Sequence, residues 1–222
     1  MDAGPRKREE CKNIKMDLQK CKICRRQGAK LFLKGERCFS AKCSVMKRPY
    51  PPGIKTKMPR KSSEYGKELK EKQKMRNWYN LRERQFKTYV NKALKMRGKA
   101  EDAGSLLVGK IVSRLDNVVF RLGFASSRAK ARQLVSHNHF LVNGKKVNIP
   151  SYETGIGDKI QLSPNSRKKA GFEGIESVLK KQKFPSWVEF DLANFEAKII
   201  GKPTEDTEIP AEILTIFEYY SK

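Results

Sequence analysis

The chain has 222 residues, 38% of them hydrophobic, and its 49 Lys and Arg against 24 Asp and Glu give a formal net charge of +25. A compact state with that charge repels itself unless a polyanion shares its volume, and nucleic acid is the expected partner. No apolar run approaches the roughly 18 residues of a spanning helix and the N-terminus is too charged for a signal peptide, so a non-secreted chain with no membrane partner is expected.

Residues 1–20 are polar, charged and without helical period, and are expected to form a basic arm that stays disordered until it meets its partner. Cys21, Cys24, Cys38 and Cys43 follow, separated by two, thirteen and four residues. Two close pairs flanking a loop suit tetrahedral thiolate ligation of Zn, with free thiols or disulfides as the alternatives. A zinc ion would fold residues 21–43, a basic segment too poor in apolar side chains to fold alone. Cys11 is left over and reads as a spectator thiol. Residues 44–63 carry four prolines among their basic side chains and are expected to run extended, as a strand that can follow a nucleic-acid backbone.

The segment 64–106 reads as helical from about Tyr65, with Tyr79, Phe86, Tyr89, Val90, Ala93 and Leu94 on one face and mostly Lys and Arg opposite; Gly98 to Gly104 closes it. Leu107, Ile111, Leu115, Val118, Val119 and Leu122 predict one further amphipathic helix, stopped at Gly123. Ser126 or Ser127 would cap a third, with Ala129, Leu134 and Val135 inward and Arg128 and Arg132 together on the outer face. Phe140–Val142 then leads into Asn143-Gly144, the dipeptide of a tight hairpin, with Lys145, Lys146 and Val147 returning. Gly157-Asp158 is a second turn, before a strand over Lys159–Leu162 that ends at Ser163-Pro164. Beyond Gly171 the pattern predicts a helix over Ile175–Lys180, an apolar stretch Trp187–Phe190, and a helical end near Ile213–Tyr219. Charge divides along this order: residues 1–170 hold 43 basic and 14 acidic side chains, residues 171–222 hold 6 and 10. The C-terminal stretch, with Glu205, Asp206, Glu208 and Glu212, is thus expected to face a protein or solvent rather than phosphates.

The sequence offers little for bond-making chemistry. Arg114-Leu115-Asp116 matches the tripeptide that carries the catalytic aspartate in enzymes isomerising uridine, yet it falls inside an amphipathic helix, where an Asp pairing locally with an Arg is the expected role. His137 and His139 have no nucleophile beside them and read as phosphate contacts or caps. No Gly-rich phosphate loop is present. For binding RNA, the helix pair and hairpin gather Arg114, Arg121, Arg128, Lys130, Arg132, Gln133, His137, Asn143, Lys145 and Lys146, a set able to contact phosphates and 2′-hydroxyls. Further candidates are Arg25, Arg26, Lys34 and Arg37 in the Cys-rich loop; Lys47, Arg48, Tyr50, Arg60 and Lys61 in the extended segment; and Tyr65, Lys72, Arg76, Arg82 and Arg84 in the helical one.

The stretch SRLDNVVFRLGFASSRAKARQLVSH from Ser113, continuing through FLVNGKKVNIP to Pro150, resembles the RNA-binding module named after the S-four ribosomal protein. That module also occurs in uridine isomerases, a tyrosyl transfer-RNA synthetase and heat-shock RNA binders. The flanks are similar to the bacterial-type small-subunit ribosomal protein itself: KLFLKGERCFSAKC, KRPYPPG, SEYGKELKEKQKMRNWY and ERQF before the module, PSWVEFDLANFEAKIIGKP and FEYY after it. Some family members lack the cysteines, and this chain keeps all four. The 20 residues before Cys21 depart from the family's short N-terminus, so contacts made by that terminus do not transfer.

The resemblance implies an α+β, mostly helical fold: a zinc-stabilised helical N-terminal domain, an inserted RNA-binding module over 107–170 built of a helix pair and an antiparallel hairpin, and a segment 171–222 packing back on the N-terminal domain. It implies a cytoplasmic, non-enzymatic component of the small ribosomal subunit that binds small-subunit ribosomal RNA, nucleates assembly of the subunit body, supports decoding accuracy and touches neighbouring small-subunit proteins, protein five foremost. No small-molecule substrate is expected. The alternatives are an RNA-modifying enzyme or a messenger-RNA-binding regulator using the same module.

Overall fold

The Cys-rich segment buries little apolar surface, Leu31 and three cysteines only, and leaves Phe39, Met46 and Ile54 exposed. The computed structural model describes residues 20–54, 61–96, 102–203 and 211–221; residues 1–19 of the expected disordered arm (with Cys11), Arg60, Gly98, Glu205, Asp206 and Glu208 lie outside them, while Lys20, the arm's last residue, is helical. Helix α1 covers residues 20–27, followed by two short helices, α2 (Glu36–Phe39) and α3 (Ser44–Lys47). Residues 44–63 are therefore not extended throughout, since α3 takes their first turn. Gly35, at the start of α2, has φ of 62°, and a Cβ there would stand 2.5 Å from the Ser126 carbonyl oxygen. Only glycine lets this loop lie against the segment that opens the module.

The helical pattern that begins at Tyr65 is two helices, α4 (Glu64–Trp78) and α5 (Glu83–Lys95). Ser63 caps the first, its hydroxyl accepting from the Gly66 N–H. Asn80 takes a left-handed φ of 53° and the Leu81 N–H closes back on the Arg76 carbonyl at 3.0 Å, which ends α4. The apolar spacing stays in phase across that turn, so periodicity alone reads through it.

The same happens further on. The single helix expected over Leu107–Leu122 is α6 (Ala103–Val112) and α7 (Leu115–Arg121), and Gly104 lies inside α6 rather than in a closing loop. Between them the Ser113 carbonyl accepts from the Thr154 N–H at 2.8 Å and the Leu115 N–H donates to Tyr152 at 2.9 Å, so the backbone is diverted into a bridge with residues 152–154. Helix α8 (Arg128–Ser136) is capped by Ser127 and buries Ala131 and Val135, with Ala129 and Leu134 half-buried.

The sheet is larger than the hairpin and single strand the sequence suggests. Its five antiparallel strands, β1 (Phe140–Val142), β2 (Lys145–Lys146), β3 (Lys159–Leu162), β4 (Val188–Asp191) and β5 (Glu196–Ile199), lie in the order β2-β1-β3-β5-β4. Segment 171–222 thus divides. Its hairpin β4–β5, turned where Asp191 accepts from the Ala193 N–H and the Asn194 side chain, extends the module's sheet. Helix α9 (Pro164–Arg167) reaches the β4–β5 turn through Arg167, which donates to the Asn194 carbonyl; α10 (Ile175–Lys181) is followed by Gln182, whose side chain donates to the Arg121 carbonyl at 3.4 Å; and α11 (Ile213–Ser221) lies against α4 and α5. One continuous apolar core runs from Met75 in α4 through α5–α8 and the sheet to Ile216 in α11, giving a mixed α+β fold. Among the described residues no helix is long and apolar enough to cross a membrane.

The α4–α5–α11 junction is closed by Glu83, which accepts from Lys72 at 2.7 Å, Arg76 at 3.0 Å and the Tyr220 hydroxyl at 2.9 Å. Burial alone would raise this carboxyl, but the three hydrogen bonds outweigh it and hold it below its ordinary 4.5. A carboxylate whose folded value is depressed contributes stability above its unfolded value and loses it as pH falls through the folded one. Glu83→Gln should therefore be less stable than the parent chain at neutral pH in urea unfolding, with the gap closing as pH drops below 4.5. A gap that is constant with pH would contradict this role.

Candidate nucleic-acid interface

The hairpin positions its two lysines by backbone geometry. Asn143 and Gly144 have φ of 50° and 77°, the two positive angles a tight hairpin turn requires, and Lys145 and Lys146 follow as the exposed edge strand β2. Asn143 is itself occupied, donating to Asp158 at 2.8 Å and accepting from the Lys159 N–H at 2.9 Å, which ties the hairpin to β3. Beside the hairpin, α8 turns Lys130 and Gln133 to solvent, with Arg132 half-buried. His137 ends α8 exposed, stacked at 6.2 Å on His139, whose Nδ1 lies 2.8 Å from the Ser166 hydroxyl. Burial, with Lys169 and His137 nearby, keeps the His139 imidazole below its usual range.

Two arginines of the expected set are placed differently. Arg114 is 1% exposed and its guanidinium grips Asp116 with both ends, Nε to Oδ1 at 3.1 Å and Nη2 to Oδ2 at 2.7 Å, while Nη1 donates to the Tyr89 hydroxyl at 2.9 Å. It is an internal strut, and Asp116 is held by it rather than presented to a substrate. Arg128 does not share the outer face with Arg132. Its Nε donates to Asn117 at 3.2 Å and its guanidinium packs over the rings of Trp78, Tyr79 and Phe120 at 4.8, 5.2 and 4.5 Å. Burial, reinforced by the neighbouring Arg121, lowers this guanidinium to about 10.

In the helical segment, Lys72 is 4% exposed and committed with Arg76 to Glu83, and the Tyr65 hydroxyl lies 3.3 Å from that of Tyr219. Arg82 and Arg84 point outward. In the Cys-rich loop, Arg25 donates to the carbonyls of Arg48 and Tyr50 and sits 4.9 Å above the Tyr50 ring, strapping the following segment to α1. Arg26, Arg37, Lys47, Arg48, Tyr50 and Lys61 are exposed, and Lys34 is half-buried.

Cys21, Cys24, Cys38 and Cys43 line one small cavity of about 20 Å³ with Leu31 and Val45, and none is in a disulfide. Burial raises the Cys24 and Cys38 thiols, and charge on the other cysteines would raise them further. Among the described residues no three His, Cys, Asp or Glu are drawn close enough to hold a metal as they stand. The donor set suits zinc in its chemistry: four thiols and no carboxylate converge on one apolar cavity.

The structure adds residues that sequence patterns missed. An open groove of about 1110 Å³ runs between the Cys-rich loop, α7–α8 and α10, walled by Phe39, Trp78, Phe120, Arg121, Arg128 and Lys183 among others. These side chains belong to four separate segments, and no spacing rule connects them.

Two family descriptions match the chain: Ribosomal protein S4/S9 N-terminal domain over residues 15–107, and S4 domain over residues 113–160. Small ribosomal subunit protein uS4 of Caldicellulosiruptor saccharolyticus is 50% identical over 203 residues, covering 91% of this chain and 96% of its own. The uS4A protein of Clostridium novyi is 48% identical over 204 residues and uS4 of Ruminiclostridium cellulolyticum 45% over 203, each covering 91% of this chain and 96% of that relative.

Proposed function

Because this chain belongs to the family of small ribosomal subunit protein uS4, we propose that it is a structural component of the small ribosomal subunit in the cytoplasm, binding the subunit's RNA directly. The observation that carries this reading is a run of exposed cations, Lys130 on α8 and Lys145 and Lys146 on the hairpin, none within ion-pair distance of a carboxylate among the described residues. Exposed cations with no carboxylate partner among the described residues suit phosphates, and the exposed Gln133 and His137 suit 2′-hydroxyls. Arg26, Arg37, Lys47, Arg48, Lys61, Arg82 and Arg84 extend the contact over the N-terminal part. The chain is not an enzyme.

The finer reading follows the family resemblance: binding nucleates assembly of the subunit body and supports decoding accuracy, and the β4–β5 side, remote in charge from the basic face, meets a neighbouring small-subunit protein, protein five foremost. Zinc is held by Cys21, Cys24, Cys38 and Cys43 and acts structurally, by tying a loop that has no core of its own.

Binding to a folded small-subunit RNA junction, titrated across salt concentrations, tests the interface. Each phosphate contact adds about 0.7 to 0.9 to the slope of log affinity against log salt. Lys145→Ala with Lys146→Ala should flatten that slope by about 1.4 to 1.8 and weaken binding at low salt. An unchanged slope would place the RNA on another face.

A further inference from the structure

The groove between the Cys-rich loop and the module is built unlike the rest of the basic surface. Phe32 holds a left-handed φ of 49°, which bulky residues rarely adopt, and so brings its ring to Phe39 at 4.8 Å, nearly parallel, and to the edge of Trp78 at 6.0 Å. Trp78 in turn carries the Arg128 guanidinium at 4.8 Å, with Phe120 on it at 4.5 Å. The result is a chain of packed rings, stacked at Phe32–Phe39 and edge-on at Phe32–Trp78, whose outermost member, Phe39, is 75% exposed and lines the groove. An exposed phenylalanine at the end of a braced aromatic stack is ready for one more flat partner.

The charge of the walls narrows the partner. Arg121, Arg128, Lys130 and Lys183 line the groove against two carboxylates, Glu36 and Glu173, and none of the four cations has a carboxylate within ion-pair distance among the described residues. The carboxylate that acts on Arg128, Asp116, is itself committed to Arg114, so two neighbouring guanidiniums share one distant charge and leave the wall attractive to an outside anion. The groove's volume of about 1110 Å³ is ample for a nucleotide, since small-molecule pockets run roughly 300–1,000 Å³. Lys130, the exposed cation of α8, is part of this groove's wall.

We propose that the groove receives an unstacked nucleotide of the bound RNA, its base lying on Phe39 and its phosphate against Arg121 and Lys130. This rests on the RNA-binding reading and specifies it: the module's exposed lysines hold phosphates of structured RNA, while the groove selects a single-stranded or bulged base at its edge. A flat face plus cationic walls is the common design of single-strand recognition, and an A-form duplex keeps its bases stacked and cannot supply one.

Trp78 is the reporter. Trp187 is the second of two tryptophans, and its indole N–H has no hydrogen-bond partner among the described residues, so Trp187→Phe removes no bond and leaves Trp78 as the sole tryptophan. The zinc-loaded full chain carrying Trp187→Phe would be titrated with a single-stranded oligoadenylate, an A-form duplex of equal length, and a small-subunit RNA junction. Saturable change in Trp78 emission is expected with the single strand and the junction and not with the duplex. Phe39→Ala, an exposed position, and Arg121→Gln should each weaken the single strand at least about five-fold. Phe39→Ala should leave duplex affinity unchanged. Silent Trp78 emission, or single-strand affinity indifferent to both variants while the junction still binds, overturns the groove assignment alone. A change seen only on adding a small-subunit protein assigns the groove to a protein and overturns it too. Failure to bind any of the three RNAs overturns the broader reading with it.

Discussion

Asp116→Ala is expected to destabilise the chain by about 3–5 kcal/mol in urea unfolding, because it leaves a guanidinium buried without its counter-charge. Arg114 is 1% exposed and Asp116 6%, and the bidentate pair spends its donors inside the core, with Tyr89 taking the third. Water cannot replace the lost carboxylate there. Replacing both partners by apolar residues of similar size, Arg114→Met with Asp116→Leu, should recover most of the loss, since a buried pair contributes little net stability over a packed apolar equivalent. The same experiment separates structure from catalysis. A catalytic aspartate would cost activity with little stability, whereas here RNA binding should persist below the unfolding transition. A loss under about 1 kcal/mol would mean that Arg114 finds another partner.

Removing two of the four thiols, Cys21→Ser with Cys24→Ser, should abolish zinc binding and unfold the Cys-rich loop while the rest of the core stays folded. Structural zinc contributes roughly 10–16 kcal/mol of apparent binding energy in small metal-dependent folds, and this segment has little else to hold it. Buried hydrophobic side chains in residues 20–54 are limited to Leu31 and three of the cysteines. The checks are metal content by mass spectrometry and protease sensitivity of that segment, before and after chelation. The parent chain should carry about one zinc and resist cleavage, and the double variant should do neither. Because Gly35 rests on Ser126 and Phe39 walls the groove, the variant should also lose the single-strand component of RNA binding. A chain without metal whose loop stays protected would contradict the assignment.

The module was the most legible part of the fold. Asn143-Gly144 specifies its turn through two positive φ angles, Ser127 caps α8, and the strand over Lys159–Leu162 has the expected bounds. Two helix breaks were not legible, at Asn80 and at Ser113–Arg114, because the apolar phase continues through both and the interruptions come from a left-handed residue and from a distant loop. The strand β5 alternates polar and apolar side chains over Glu196–Ile199, but four residues are too few to distinguish a strand from a loop by period alone, and pairing with β3 and β4 is what defines it. Among the candidate site residues, counting cations does not tell outward heads from inward ones. Arg114, Lys72 and Arg128 have the same sequence credentials as Lys130, and only packing distinguishes them.

A chain that binds small-subunit RNA within the assembled particle, as proposed, should sediment with that particle. The most direct measurement is sedimentation of the tagged full chain from cell extract, followed by a high-salt wash and sequencing of crosslinked RNA. Recovery with the small ribosomal subunit is expected, with crosslinks to its RNA from α8, the β1–β2 hairpin and the Cys-rich loop. Recovery as free protein on scattered messenger or transfer RNA, with no small-subunit RNA retained, would contradict it.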